Sequence, residues 1–311
     1  MSQINMSQVK ELRERTQAGL NDCRSALQEA AGDMEKAVEI ILKKGLAKSA
    51  KRAGAVATEG VVAARVAADA RSGVIVEVNI QTDFAARNED FLRFVELVVT
   101  AAESARAGGD LTAAPNPQGP GTIEDARAAL VGRLGENVTI RRWDRIDLDR
   151  SGKVHAYVHL GGKVGALLAV GTATPEAAGH EAVSKFIDDT AMQIAAMAPI
   201  SVGRDDVPAE AKAKQAEIYL GQLAEEGKTP EDKRPKIVEG KVQKWLKEVC
   251  LLEQQSVLEP EKTVEQLRAE VAKALGGDFV VLRFARFERG EGIQKPSGPD
   301  FADEVARMAG G

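Results

Sequence analysis

The chain has 311 residues, of which 44% are hydrophobic, so it can bury a sizeable core in two or three domains. Cys23 and Cys250 are far apart in the chain, which fits a reducing compartment and not a disulfide framework. The net charge of -5 and the scarcity of Trp and Tyr argue against a dedicated nucleic-acid binder. No long apolar run and no signal-peptide core after Met1 are found, so we expect a cytoplasmic protein.

Residues 7–45 predict three short helices, a compact module of a kind used for binding proteins. We expect Asp33 to be the N-cap of the third helix and Gly45 to end it. The basic residues near that end favour a solvated face, since cations are stabilised at a helix C-terminus. RNA contact is the alternative. These residues are Lys43, Lys44, Lys48, Lys51 and Arg52.

From Gly60 the hydrophobic period changes to that of strands. Two strands, Val61–Ala68 and Val74–Ile80, are expected with a turn at 69–73 between them. Strands followed by a helix then occur twice, which predicts two related α+β halves. The further elements expected are helices over 91–102, 123–134 and 181–198 and strands over 138–146, 153–160 and 163–171.

Residues 208–250 carry apolar side chains at coiled-coil spacing on both sides of a turn at Gly227 and Pro230. This pattern predicts a helical hairpin, which could pair with itself or with another subunit. The tail predicts a helix near 263–274, a strand near 279–287 and a last helix near 299–308.

Catalytic groups are scarce in this sequence. His155 and His159 lie in a predicted strand, where they are roughly 13 Å apart and cannot share one metal ion. Gly227 is followed by Lys and Thr as in a phosphate-binding loop, but the interval from Gly221 is one residue too long and Pro230 follows at once. We therefore expect no metal, no cofactor, no bound nucleotide and no enzymatic activity, but a protein that binds another protein.

Four motifs, in the same order along the chain, resemble the bacterial elongation factor Ts family. They are Val9–Thr16 followed by Ala18-Gly19 and Asp22-Cys23, Val76–Phe84, Gly135–Val138 with Arg141-Arg142, and Gly290–Ile293.

The resemblance implies an α+β fold with an N-terminal three-helix module like the ubiquitin-associated domain, a two-part core of antiparallel sheets with helices, a coiled-coil hairpin and a C-terminal module. The implied plan is a helical module at 1–45, a linker at 46–59, core subdomains at 60–137 and 138–207, the hairpin at 208–250, a return to the second subdomain at 251–289 and the C-terminal module at 290–311.

The resemblance also implies a function, the release of GDP from elongation factor Tu, bound in its GDP and nucleotide-free forms. In that family the Thr-Asp-Phe turn enters the partner's GTPase domain and its ring is wedged between two helices. Here the turn is Thr82, Asp83 and Phe84. The alternative function is an adaptor whose helical module binds another protein.

The residues alone leave a second interpretation of Phe84 open. Asp83 could cap a helix in which Phe84, Asn88, Phe91 and Val95 form one stripe, and Phe84 would then belong to the core. The polar amide of Asn88 weakens that interpretation.

Further partner contacts follow from the resemblance at eight positions. Each has an ordinary structural alternative, such as a surface charge, a buried helix end or a solvated strand histidine. The Pro-rich loop at 115–120 is assigned no role. The positions are Lys10, Arg13, Arg24, Leu134, Gly135, His159, Val257 and Leu258.

Overall fold

The structure is a computed structural model that describes residues 5–16 and 18–294, so the last helix expected near 299–308 lies outside the described residues. The helices and strands are α1 (Met6–Thr16), α2 (Leu20–Glu29), α3 (Met34–Arg52), β1 (Glu59–Val66), β2 (Ser72–Ile80), α4 (Asp83–Ala86), α5 (Glu89–Ser104), α6 (Ile123–Leu134), β3 (Val138–Asp147), β4 (Gly152–His159), β5 (Val164–Thr172), α7 (Glu181–Met197), α8 (Ala209–Glu226), α9 (Arg234–Val249), α10 (Val264–Leu275) and β6 (Phe279–Glu288).

The first three helices pack around a core of their own that includes Leu12, Leu27 and Ile41. As predicted, Asp33 caps α3, because its carboxylate accepts a hydrogen bond of 3.1 Å from the backbone N–H of Lys36.

The prediction that Gly45 ends the third helix is wrong, because α3 continues to Arg52. Gly45 is buried, and a Cβ added to it would lie 3.3 Å from the backbone carbon of Ala128 on α6. The missing side chain therefore serves close packing of two helices and not a helix end. This contact joins the N-terminal helices to the rest of the fold.

Two antiparallel three-stranded sheets, ordered β1-β2-β3 and β4-β5-β6, form the centre of the molecule. Their inner faces meet in a core that includes Val62, Ile75, Val154 and Leu167. Helices α5 and α6 cover the outer face of the first sheet, and α7 and α10 cover that of the second. The layers are thus helix, sheet, sheet and helix, which confirms the predicted α+β class.

The turn between β1 and β2 lies earlier than predicted, at 67–71. The Asp69 carboxylate accepts a hydrogen bond of 3.0 Å from the N–H of Arg71, and Ala70 has a φ of 53°. These two residues complete the chain reversal, so Ser72 already pairs in β2.

The two halves repeat the same order of elements: two paired strands, a short helical turn, helices and a third strand. Strand β3 pairs with β2 and so belongs to the first half, although the sequence places the boundary before it, at 137. Capping boxes begin α6 at Thr122 and α10 at Thr263. Both helices end at a left-handed glycine, Gly135 with φ 73° and Gly276 with φ 63°. The second half differs by the hairpin inserted between α7 and α10.

The hairpin helices α8 and α9 pack against each other, and a small core that includes Val207, Leu246 and Cys250 closes its base. Within the described ranges, every helix is too short or too polar to cross a bilayer.

Candidate partner-binding site

Phe84 lies on the single helical turn α4, which follows β2 directly. The cap of this turn is Thr82, whose hydroxyl oxygen accepts a hydrogen bond of 3.2 Å from the N–H of Ala85, so the cap is not Asp83. Ala86 is buried against the first sheet, whereas the Phe84 side chain is 82% exposed. The turn therefore holds an aromatic ring in solvent.

The interpretation of Phe84 as a core residue is wrong, because a second cap breaks the stripe on which it rested. The Asn88 side chain accepts a hydrogen bond of 2.8 Å from the N–H of Asp90 and begins α5 there. Phe91 on α5 is fully buried and Phe84 is not on the same helix.

The turn is tied to the end of α6 by side chains. The Glu136 carboxylate accepts hydrogen bonds from the Thr82 hydroxyl at 2.8 Å and from the Thr82 N–H at 3.1 Å. The Gln81 amide oxygen accepts one of 2.7 Å from the N–H of Asn137. The left-handed Gly135 ends α6 and allows the next two residues to run beside the turn.

The structure thus brings together five of the residues predicted for the partner site: Thr82, Asp83, Phe84, Leu134 and Gly135. Leu134 is half-buried against the core of the first half, and Gly135 is exposed.

Paired charges flank the turn. Asp83 and Arg87 form an ion pair of 3.2 Å, and Asp90 pairs with Arg93 at 2.6 Å and with Arg133 at 3.2 Å. The hydrogen bond from Arg93 lowers the pKa of Asp90, and the charge of Arg133 adds to it against the effect of burial. This carboxylate therefore stays ionised and keeps both arginines in place.

Lys10 and Arg13 on α1 and Arg24 on α2 are all exposed. Arg13 lies near the first half, since its charge helps burial to lower the pKa of Arg133. A cleft of about 340 Å³ separates the N-terminal helices from α5 and α6. Residues of the Pro-rich loop, including Pro120, line it.

The remaining predicted residues belong to the second half. His159 is exposed at the end of β4, and its Nδ1 lies 2.8 Å from the Tyr157 hydroxyl. Val257 and Leu258 lie between α9 and α10 and are 41% and 53% exposed. The N–H of Val257 donates to the side chain of Gln193 on α7 at 2.8 Å. The structure does not bring these three residues together with Phe84.

His155 and His159 also have separate surroundings. His155 pairs with Asp188 at 3.2 Å, and burial lowers the pKa of its ring. In the part of the chain that the structure describes, no three His, Cys, Asp or Glu side chains are grouped to hold a metal ion.

Sequence reasoning missed Glu136 and Gln81, the two side chains that fix the turn. Both lie inside motifs that resemble the family: Glu136 follows Gly135 directly, and Gln81 directly precedes Thr82. Their place inside these motifs is the only sign in the sequence that points to them, because the hydrogen bonds they make join residues far apart in the chain.

Comparison with known proteins agrees with the motifs. The family model described as "Elongation factor TS" matches residues 81–291. Elongation factor Ts of Symbiobacterium thermophilum is 46% identical over 310 residues, which cover 100% of this chain and 99% of that protein. Elongation factor Ts of Clostridium botulinum (strain Alaska E43 / Type E3) is 44% identical over 308 residues, 99% of each chain. That of Clostridioides difficile is 44% identical over 310 residues, again 99% of each. The chain belongs to the elongation factor Ts family.

Proposed function

We propose that this chain is a guanine nucleotide exchange factor of translation elongation, which binds elongation factor Tu in its GDP form and promotes GDP release. The observation that carries the proposal is the Phe84 side chain, 82% exposed on a capped helical turn. Membership of the elongation factor Ts family supports the choice of partner.

The free energy gained by burying Phe84 in the partner is large enough to shift the partner's conformation. Burying an exposed Phe side chain in an apolar slot contributes about 2 to 3 kcal/mol. Thr82 and Glu136 already fix the turn, so little ordering cost is added on binding. Most of this free energy is thus available to hold the partner in a changed conformation.

Release of GDP then follows from linkage and needs no covalent chemistry. A factor that binds the nucleotide-free GTPase more tightly than the GDP form weakens GDP binding by the same ratio. The ring of Phe84 is inserted between two helices of the partner and disturbs its magnesium and phosphate contacts. Nucleotide dissociates because those contacts are lost.

The other predicted residues spread the interface over the molecule. Lys10, Arg13 and Arg24 bind the GTPase domain through their exposed charges. Leu134 and Gly135 lie beside the Phe84 turn and contact the region of the nucleotide loop.

A second part of the interface lies on the second half. His159 faces another domain of the partner, and the exposed apolar residues Val257 and Leu258 add a contact from the same half.

The adaptor alternative has less support. Helix α3 runs without interruption from the N-terminal core onto α6, where Gly45 packs against Ala128. A module meant to act alone would not need this buried contact. Self-association through the hairpin is a separate proposal, favoured by the exposed apolar side chains Ile218, Leu220 and Ile237.

The test is release of a fluorescent GDP analogue from elongation factor Tu. We expect Phe84→Ala to slow catalysed release by about 30-fold to 160-fold if the full 2 to 3 kcal/mol of burial acts on release. Thermal unfolding should be unchanged, because the side chain makes few contacts in the free protein. Ile200→Ala, which removes apolar surface that is 52% exposed and outside the proposed interfaces, is the matched control and should release GDP at the wild-type rate.

Equal rates for the wild type and Phe84→Ala would overturn the wedge. A wild-type chain that does not accelerate release at all would overturn the exchange function itself.

A further inference from the structure

The internal repeat supplies a counterpart for the turn that carries Phe84. In the second half Thr174 takes the place of Thr82, and its hydroxyl oxygen accepts a hydrogen bond of 3.4 Å from the N–H of Ala177. His180 caps α7 as Asn88 caps α5. The residue that takes the place of Phe84 is Glu176, so the second turn is built without the aromatic ring.

The segment beside the turn differs in the same way. After the left-handed glycine that ends the helix, the first half has Glu136 and the second half has Gly277. The second turn is joined to its neighbour by a backbone hydrogen bond, from the N–H of Ala173 to the carbonyl of Asp278 at 3.1 Å. The fold can therefore place this turn without a carboxylate from the neighbouring segment, and the Thr174 hydroxyl bonds instead to the carboxylate of Glu176 within the turn.

The two hydrogen bonds from Thr82 to the Glu136 carboxylate form a clamp on the turn. This clamp and the exposed aromatic residue occur together in the first half, and both are absent from the equivalent places of the second half. We infer that Glu136 is a positioning residue for Phe84, and that its clamp on Thr82 sets the direction in which the ring is presented to the partner. This inference rests on the proposed function.

Glu136 can set the direction of the Phe84 ring because few other contacts fix that side chain. With 82% of its side chain exposed, Phe84 has few contacts of its own, so the backbone of α4 decides where it points. A helix of one turn is marginal by itself. The Thr82 hydroxyl accepts from the N–H of Ala85 and donates to Glu136, so one side chain couples the cap of the turn to the clamp.

Removing the carboxylate leaves the Thr82 N–H and hydroxyl to water. The turn then samples other directions, and the ring enters the slot in a smaller fraction of encounters. Glu136→Gln keeps the size of the side chain but offers only one oxygen to two donors, so its effect should be intermediate.

The first measurement uses the full-length chain alone. Hydrogen–deuterium exchange of residues 81–87 should become faster by roughly tenfold in Glu136→Ala, because the turn opens more often. Glu176→Ala, at the place of Phe84 in the other half, should leave residues 81–87 at the wild-type rate. Unchanged exchange in Glu136→Ala would overturn the clamp, whatever the function of the chain.

The second measurement is a double-mutant cycle in the GDP-release assay. Glu136→Ala should lower the maximal release rate by on the order of tenfold, because the ring is misplaced in most bound complexes, with a smaller change in the concentration that gives half that rate. Added to Phe84→Ala, it should cause no further loss, because the ring it positions is gone.

Losses that multiply in the double variant would mean that Glu136 contacts the partner itself, which overturns the inference. So would a wild-type rate for Glu136→Ala when Phe84→Ala is slow. In both cases the exchange function stands.

Discussion

Glu77 is fully buried on the inner face of the first sheet, where its carboxylate collects donors from both halves. It accepts hydrogen bonds from Arg141 at 3.0 Å, from Arg142 at 2.6 Å, from Asn79 at 3.1 Å and from the N–H of Gly290 at 2.7 Å. A change to Glu77→Gln tests how much this network contributes to stability.

The expected loss follows from the number of donors. A glutamine amide has one oxygen and turns an NH₂ group toward donors that the carboxylate satisfied, while it removes the negative charge between two guanidinium groups. Removing one partner of a buried ion pair costs about 3 to 5 kcal/mol. Arg142 keeps its bonds to the carbonyl of Glu288 and the carboxylate of Glu291, so we expect the lower end, about 3 kcal/mol.

Urea unfolding followed by circular dichroism measures this loss as a change in the free energy of unfolding. The matched control is Glu96→Gln, which removes a carboxylate from an exposed ion pair with Arg65 and should cost at most about 1 kcal/mol. A Glu77→Gln variant no less stable than that control would refute the reasoning.

Two further predictions concern the pH dependence of stability and the packing of α3 against α6. Burial would raise the pKa of Glu77, but the hydrogen bonds from Gly290, Arg141 and Arg142 outweigh it and hold the pKa below its ordinary value of 4.5. The stability contributed by the ionised Glu77 is therefore present above pH 4.5 and is lost as the pH falls through the lower folded-state pKa. The difference in the free energy of unfolding between wild type and Glu77→Gln should thus shrink as the pH is lowered, measured by urea unfolding at each pH. Gly45→Leu should separate α3 from α6 and destabilise the chain by about 1 to 3 kcal/mol through overpacking, measured by urea unfolding. Gly54→Ala, which adds a methyl group where nothing lies within 4 Å, should not destabilise it.

Local signals account for the elements that the sequence predicted well. The helix over 123–134 has the bounds that the sequence predicts, and in the structure Thr122 and Gly135 cap its two ends. The alternating strands and the amphipathic helices of both halves depend on the same short-range pattern. They are predictable since burial of one face is enough to select them.

Gly45 shows where such signals fail. A glycine near the end of an apolar pattern usually ends a helix, but this one is selected by the backbone of Ala128 on another helix. The contact is long-range, so the sequence of α3 alone does not contain it. The two uses of glycine are distinguished by the neighbouring helix and not by the local residues.

The candidate site was only partly predictable for a related reason. The stripe of Phe84, Phe91 and Val95 has helical spacing, and the competing signal was the cap at Asn88, followed by two acidic residues. The prediction of a single stripe does not use this cap, and recognising it separates Phe84 from α5. No local pattern, however, pairs Thr82 with Glu136, because the two residues are far apart in the chain.

The second half shows what the fold alone requires at this turn. Glu176 in the place of Phe84 puts a negative charge in the first turn of a helical segment, where it is favoured, and a hydrated side chain at an exposed position. The first half instead keeps an apolar ring in water, where burial elsewhere would gain about 2 to 3 kcal/mol. An equivalent turn forms without the ring and without Glu136, because the Glu176 carboxylate bonds the Thr174 hydroxyl there, so stability of the free protein does not explain the exposed ring. A partner that buries Phe84, as proposed, would explain the ring, and aiming the ring at that partner is the proposed role of Glu136.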